Sequence, residues 1–157
     1  MHVGIGHDTH RLVPGRPLLL GGVLIPHTHG LAGHSDADVV LHAVCDALLG
    51  ATGIGDIGEL FPDTDPQFRG ADSAKLLAEV VDRIRAAGWR PVNLDLVIQA
   101  EQPKLGPYKL TIRGRIAELL GVAPNVVSVK AKTGEAVGPI GRGEAINCMA
   151  VVLVERK

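Results

Sequence analysis

Apolar residues recur along this chain in two periods, and the switches between them mark its elements. Val3 and Ile5 alternate with Gly4 and Gly6, which predicts an opening strand running into His7, Asp8, Thr9 and His10. If the chain stays extended there, Asp8 and His10 point to the same side. Leu18 to Leu20 and Val23 to Ile25 flank Gly21-Gly22, a pair suited to a tight turn, and predict a short N-terminal β-hairpin. Pro26 to Gly33 reads as loop. From about Ser35 to Leu49 apolar residues take most of a helical circumference, so the pattern predicts a largely buried helix stopping at Gly50. Ser35 followed by Asp38 has the spacing of a capping box at its start.

Gly53 to Pro66, rich in glycine, proline and acids, reads as an irregular loop. Leu76, Leu77, Val80, Val81 and Ile84 predict an amphipathic helix that begins around Asp72 and Ser73 and ends before Gly88. Val92, Leu94, Leu96 and Ile98 predict a strand, roughly Pro107 to Leu120 a helix, and Val127 to Lys132 another strand. Ala145 to Val154 closes as a long apolar strand, expected to be central and covered on both faces. Strands alternating with helices give an α/β (α+β) fold class, a layered sheet with helices packed on it. The 157 residues suit one domain spanning 1–157.

Composition narrows the picture. Hydrophobic residues are 46% and aromatics 3%, so the core must be built from Val, Leu, Ile and Ala. Lys plus Arg 16 against Asp plus Glu 17 leaves a net charge of -1, which offers no electrostatic footprint for nucleic acid or an anionic membrane. Cys45 and Cys148 lie in apolar runs and read as buried free thiols. With no secretory signal pattern and no long apolar stretch, the expected location is cytoplasmic.

Candidate chemistry is concentrated at one end. All seven histidines fall within the first 42 residues. Asp8 and His10 share a side of the first strand, and His42 lies on the buried helix with Asp38 and Asp46 four residues to either side. Ionisable groups on such a face cost several kcal/mol unless paired or bound to metal. Three N and O ligands leave a coordination position open, the pattern of a catalytic zinc, and a carboxylate four residues away would orient His42. The same set describes a non-haem iron oxygenase or a hydrolase, so spacing alone leaves the metal open.

The loop with Asp56, Glu59, Asp63 and Asp65 would repel bare phosphates, but it suits polyol hydroxyls or phosphates screened by a divalent cation. Lys130, Lys132, Thr133, Gly134 and Glu135 at a strand end make a diphosphate cradle, with Lys104 and Arg142 as further cations and Glu135 able to hold magnesium.

These residues resemble a known family. His34-Ser35-Asp36-Ala37-Asp38-Val39 with His42-Ala43, then Gly55-Asp56-Ile57-Gly58, Phe61-Pro62-Asp63-Thr64-Asp65-Pro66 and Gly70-Ala71-Asp72-Ser73 look like the 2-C-methyl-D-erythritol 2,4-cyclodiphosphate synthases. The opening Gly6-His7-Asp8-Thr9-His10-Arg11 and the late Gly141-Arg142-Gly143-Glu144 match the same pattern, so the resemblance spans the whole chain.

The resemblance implies attack of the 2-phosphate of 4-diphosphocytidyl-2-C-methyl-D-erythritol 2-phosphate on its β-phosphate, closing the cyclodiphosphate ring and releasing CMP in non-mevalonate isoprenoid synthesis. It implies zinc at Asp8, His10 and His42, and magnesium or manganese at Glu135 bridging the α- and β-phosphates. His34 and Thr133 take the positions that stabilise the transition state. Ser35, Asp56, Ile57, Gly58 and the loop Phe61, Pro62, Asp63, Thr64 and Asp65 would hold the methylerythritol phosphate. Ala100, Glu101, Gln102, Pro103, Lys104, Leu105 and Gly106, with Ala131, Lys132, Thr133 and Gly134, would receive the cytidine and its phosphates. The family is a homotrimer with intersubunit sites, and the loop around Arg142 lines an axial cavity able to take an isoprenoid diphosphate. Pro139 stands where an aromatic is frequent, and Lys132 where a threonine is frequent.

Overall fold

The computed structural model describes all residues, Met1–Lys157. Strand β1 runs from His2 to Pro14, longer than its apolar alternation suggests, because it pairs from His2 to Arg11 with the last strand, β7 (Ala145–Arg156), and beyond that with a short edge strand. The short strands β2 (Leu18–Leu20) and β3 (Val23–Ile25) pair antiparallel across Gly21 and Gly22, both at positive φ. Within the segment read as loop, His29–Leu31 forms β4 and adds to the edge of β1. With β5 (Trp89–Gln99) and β6 (Val127–Lys132) these make a five-stranded mixed sheet of order β4-β1-β7-β5-β6. Only β5 and β6 run parallel, joined through α4 (Lys109–Leu120).

The main helix, α1 (Val39–Thr52), lies on β1 and β7, flanked by α3 (Ser73–Ala86). Its place on β1 depends on glycine. A Cβ at Gly4 would strike the Ala47 carbonyl, and one at Gly6 the Ala43 carbonyl, so the helix backbone rests directly on the strand. Gly4, Gly6, Asp8 and His10 fall in one row of the pleat, facing α1. Ile146, Cys148, Ala150, Val152 and Val154 of β7 and Leu94, Leu96 and Ile98 of β5 complete the core under the helices. Both cysteines are free and buried, and burial pushes their thiols up.

The start of α1 differs from the sequence expectation. Asp38, not Ser35, is the N-cap, and its fully buried carboxylate accepts from Val40 and Leu41 of the helix and from Gly21 and Gly22 of the β2–β3 turn, at 2.6 to 3.1 Å. Ser35 instead closes a local turn on the Ala37 amide. The helix runs through Gly50 to Thr52 and stops at Gly53, whose φ of 70° supplies the left-handed turn. Asp38→Ala leaves four amide donors without their acceptor, two of them outside the helix. The expected loss is about 3 kcal/mol, read as a shift in the urea unfolding midpoint.

The other face of the sheet carries no helix. Val3 and Ile5 are 67% and 64% exposed, and Met149 and Val151 of β7 are 43% and 40% exposed, so the final strand is central but covered on one face only. The loop after α1 contains a short helix, α2 (Ile57–Leu60), capped by Asp56, and the turn before β7 contains α5 (Gly138–Gly141). No helix is long and apolar enough to cross a membrane.

Candidate metal and diphosphate site

Asp8, His10 and His42 meet where the glycine row of β1 runs out from under α1. Asp8 Oδ2 lies 2.9 Å from His10 Nε2 and 3.0 Å from His42 Nδ1, and the two ring nitrogens are 3.2 Å apart. A tetrahedral ion bound at about 2.0–2.1 Å separates its ligand atoms by roughly 3.3–3.4 Å, only a little more than these edges. The protons favour the same use. His10 Nδ1 lies 2.7 Å from the Ala32 carbonyl, which can only accept, so the proton sits there and Nε2 turns its lone pair to the cluster. With that proton placed, His10 Nε2, the Asp8 carboxylate and a His42 ring nitrogen converge, a donor set that fits a borderline divalent metal.

Electrostatics agree. Burial works to raise the Asp8 carboxyl, but hydrogen bonds and charge from His10 and His42 outweigh it and hold it well below the usual carboxylate range. Burial works to lower His10, and the Asp8 carboxylate overcomes it and raises the imidazole. Neither acid flanking His42 in sequence orients it. Asp38 is consumed by its four amides, and Asp46 Oδ1 accepts from the Ile57 amide at 2.8 Å, anchoring α2. Burial, with Asp56 and Asp8 nearby, raises the Asp46 carboxyl.

The cluster opens into a cavity of about 450 Å³ walled by Gly33, His34, Ser35, Ile57, Gly58, Phe61, Pro62, Asp63, Phe68 and Leu76. His34 is held by an Asp65 carbonyl 3.2 Å from its Nε2, and Arg16 clamps the loop by donating to the Gly33 and Ser35 carbonyls. Thr64 lines the adjoining groove rather than this cavity, while Asp56 and Asp65 spend their carboxylates on local amides.

A second cavity of about 350 Å³ lies at the far edge of the sheet, lined by Ala100, Lys104, Leu105, Gly106, Pro107, Lys109, Ala131, Lys132 and Thr133. The two cavities share no residue, so within one chain the predicted diphosphate pocket is separate from the metal cluster. Gln102, Pro103 and Arg142 line neither, and Arg142 pairs with Glu144 at 2.7 Å. Glu101 Oε2 accepts the Gly134 amide at 3.0 Å, tying the Ala100–Gly106 loop to the turn that carries Thr133 and Glu135. Thr133 Oγ1 donates to Glu135 at 2.9 Å. Glu135 and Ala136 both take left-handed φ, 51° and 59°, a conformation that costs non-glycine residues on the order of 1 kcal/mol each and that fixes where the Glu135 carboxylate stands.

A family model described as the YgbB family matches residues 1–155. The chain belongs to the YgbB family. A relative from Bordetella petrii, 57% identical over 98% of this chain and 95% of its own length, is named 2-C-methyl-D-erythritol 2,4-cyclodiphosphate synthase. Among solved structures, a bifunctional IspDF from Campylobacter jejuni superposes with TM-score 0.96 at 42% identity, covering 99% of this chain and 42% of that longer one. A CDP-bound 2C-methyl-D-erythritol-2,4-cyclodiphosphate synthase superposes with TM-score 0.90 at 40% identity over 98% of this chain and 99% of that one. The layered sheet with packed helices is thus the YgbB architecture, and the resemblance drawn from the motifs holds over the whole length. Sequence reasoning missed Ser73, Phe68, Leu76 and Arg16 as parts of the site. Ser73 stood inside a quoted motif, but only as a helix start.

Proposed function

We propose that this chain converts 4-diphosphocytidyl-2-C-methyl-D-erythritol 2-phosphate into 2-C-methyl-D-erythritol 2,4-cyclodiphosphate and CMP. The observation that carries the reading is the Asp8/His10/His42 cluster, three metal-ligating atoms within 4.8 Å of one another in the wall of one cavity, in a YgbB chain. A non-haem iron oxygenase would use the same donor set, but family membership favours the synthase.

The reaction joins two anions, so the chain's residues have to hold them close and offset their charge. Asp8 Oδ2, His10 Nε2 and His42 Nδ1 would hold zinc, and Glu135 magnesium or manganese. Such cations, when bound, polarise the β-phosphorus and neutralise charge on the leaving CMP. His34 and Ser35, at the cavity mouth, would orient the 2-phosphate, and Ile57, Gly58 and Asp63 would receive the methylerythritol hydroxyls. Phe61, Pro62 and Phe68 line the cavity and would limit water access to a bound phosphate. Thr133 Oγ1 would donate to phosphate oxygens once Glu135 turns to its cation, and Lys104 and Lys132 would flank the cytidine diphosphate.

Because the two cavities are separate in one chain, a substrate spanning both needs a neighbouring copy. A homotrimer packed through the uncovered sheet face supplies it and accounts for the exposed Val3, Ile5, Met149 and Val151. On its axis the loop carrying Arg142 would line a cavity for an isoprenoid diphosphate. Incubating the zinc- and magnesium-loaded protein with the cytidyl substrate should yield CMP and a cyclic diphosphate in equal amounts by mass and phosphorus NMR. An unchanged substrate spectrum would reject the assignment.

A further inference from the structure

His42 has a ligand side and a back side. Nδ1 faces Asp8 and His10, whereas Nε2 lies 2.9 Å from the hydroxyl of Ser73 and 3.3 Å from that of Ser35. Ser73 is fully buried at the first position of α3, and its hydroxyl is hydrogen-bonded to Asp36 Oδ1. The Asp36 carboxyl also accepts two backbone amides, Asp38 N on Oδ1 at 3.1 Å and Ser73 N on Oδ2 at 3.0 Å.

Amides can only donate, so this carboxyl is placed as an acceptor on both oxygens. The single Ser73 proton therefore goes to Asp36, and the hydroxyl presents a lone pair to His42. In the neutral ring Nε2 then donates to Ser73, which leaves Nδ1 bare once a cation rather than a proton sits between it and Asp8. Ser35 offers a weaker second acceptor, since its oxygen already takes the Ala37 amide.

We infer that Asp36 and Ser73 form a relay that locks His42 in its Nε2–H tautomer and aims Nδ1 into the Asp8/His10 cluster. Both are positioning residues for metal binding. The relay does for His42 what the Ala32 carbonyl does for His10. It joins the start of α3 to the loop that caps α1, so the third ligand is set by two helices at once. Partners of this kind typically change metal affinity 10- to 100-fold when removed. The inference rests on the reading that Asp8, His10 and His42 hold a divalent metal, and not on the reaction catalysed.

The test uses the full chain. Long-range proton–nitrogen spectra of the zinc-loaded protein report the His42 tautomer, and competition with a chromophoric chelator reports zinc affinity. The parent should show Nε2–H at His42. Ser73→Ala should weaken zinc binding about 10- to 100-fold, whereas Ser73→Thr, which keeps the hydroxyl, should stay within about threefold. An Nδ1–H tautomer in the parent overturns the relay without any variant. So does a folded Ser73→Ala protein whose zinc affinity stays within about twofold of the parent. A parent that binds zinc through an Nε2–H His42 yet releases no CMP upholds the relay and rejects the reaction proposed above.

Discussion

His42→Ala should empty the metal site and stop CMP release together. The residue contributes one corner of a triangle completed by Asp8 and His10, with edges of 2.9 to 3.2 Å, and two ligands hold an ion far less well than three. Losing several kcal/mol of charge stabilisation at the phosphorus lowers turnover by about three orders of magnitude or more. Elemental analysis after dialysis should show zinc at stoichiometric level in the parent and near background in the variant. The fold should survive, because His42 sits at the cavity edge and the helix retains its apolar contacts on β1 and β7. Full activity in a zinc-free His42→Ala protein would sink the mechanism.

Ile5→Glu tests the assembly instead of the ligands. Ile5 stands opposite Val151 on the uncovered sheet face, remote from the row that carries Asp8 and His10. In a trimer packed through that face each copy would have to bury a carboxylate, at a cost of several kcal/mol per charge. The expected product is a folded monomer by analytical ultracentrifugation that still retains zinc but turns over at least about a hundredfold more slowly, since the diphosphate pocket of a neighbour is missing. A monomer with parental turnover would show that one chain holds a complete site.

Much of this was legible in sequence because period and spacing report geometry directly. Alternation brings Asp8 and His10 to one side of a strand, and the apolar circumference buries the helix that brings His42 to them. What failed did so for physical reasons. Ser35 and Asp38 are both good caps, and the choice fell to Asp38 because the Gly21-Gly22 turn supplies two more donors to its carboxylate, a tertiary fact with no local signal. The partner of His42 was sought four residues away on its own helix, whereas Ser73 arrives from another helix, 31 residues on. The last strand was read as covered twice because an apolar run looks the same whether it faces a helix or is left bare.

The bare backbone contact at Gly4 and Gly6 has its own consequence for the metal. The gap between the strand that supplies two ligands and the helix that supplies the third is gauged by two hydrogen atoms. Alanine at either position would act as a shim, lifting α1 at the end of a lever whose far tip is His42. Such a protein should fail first as an ion carrier and only later as a folded body, so the tightness of this joint is a calibration of the ligand triangle as much as a feature of the core.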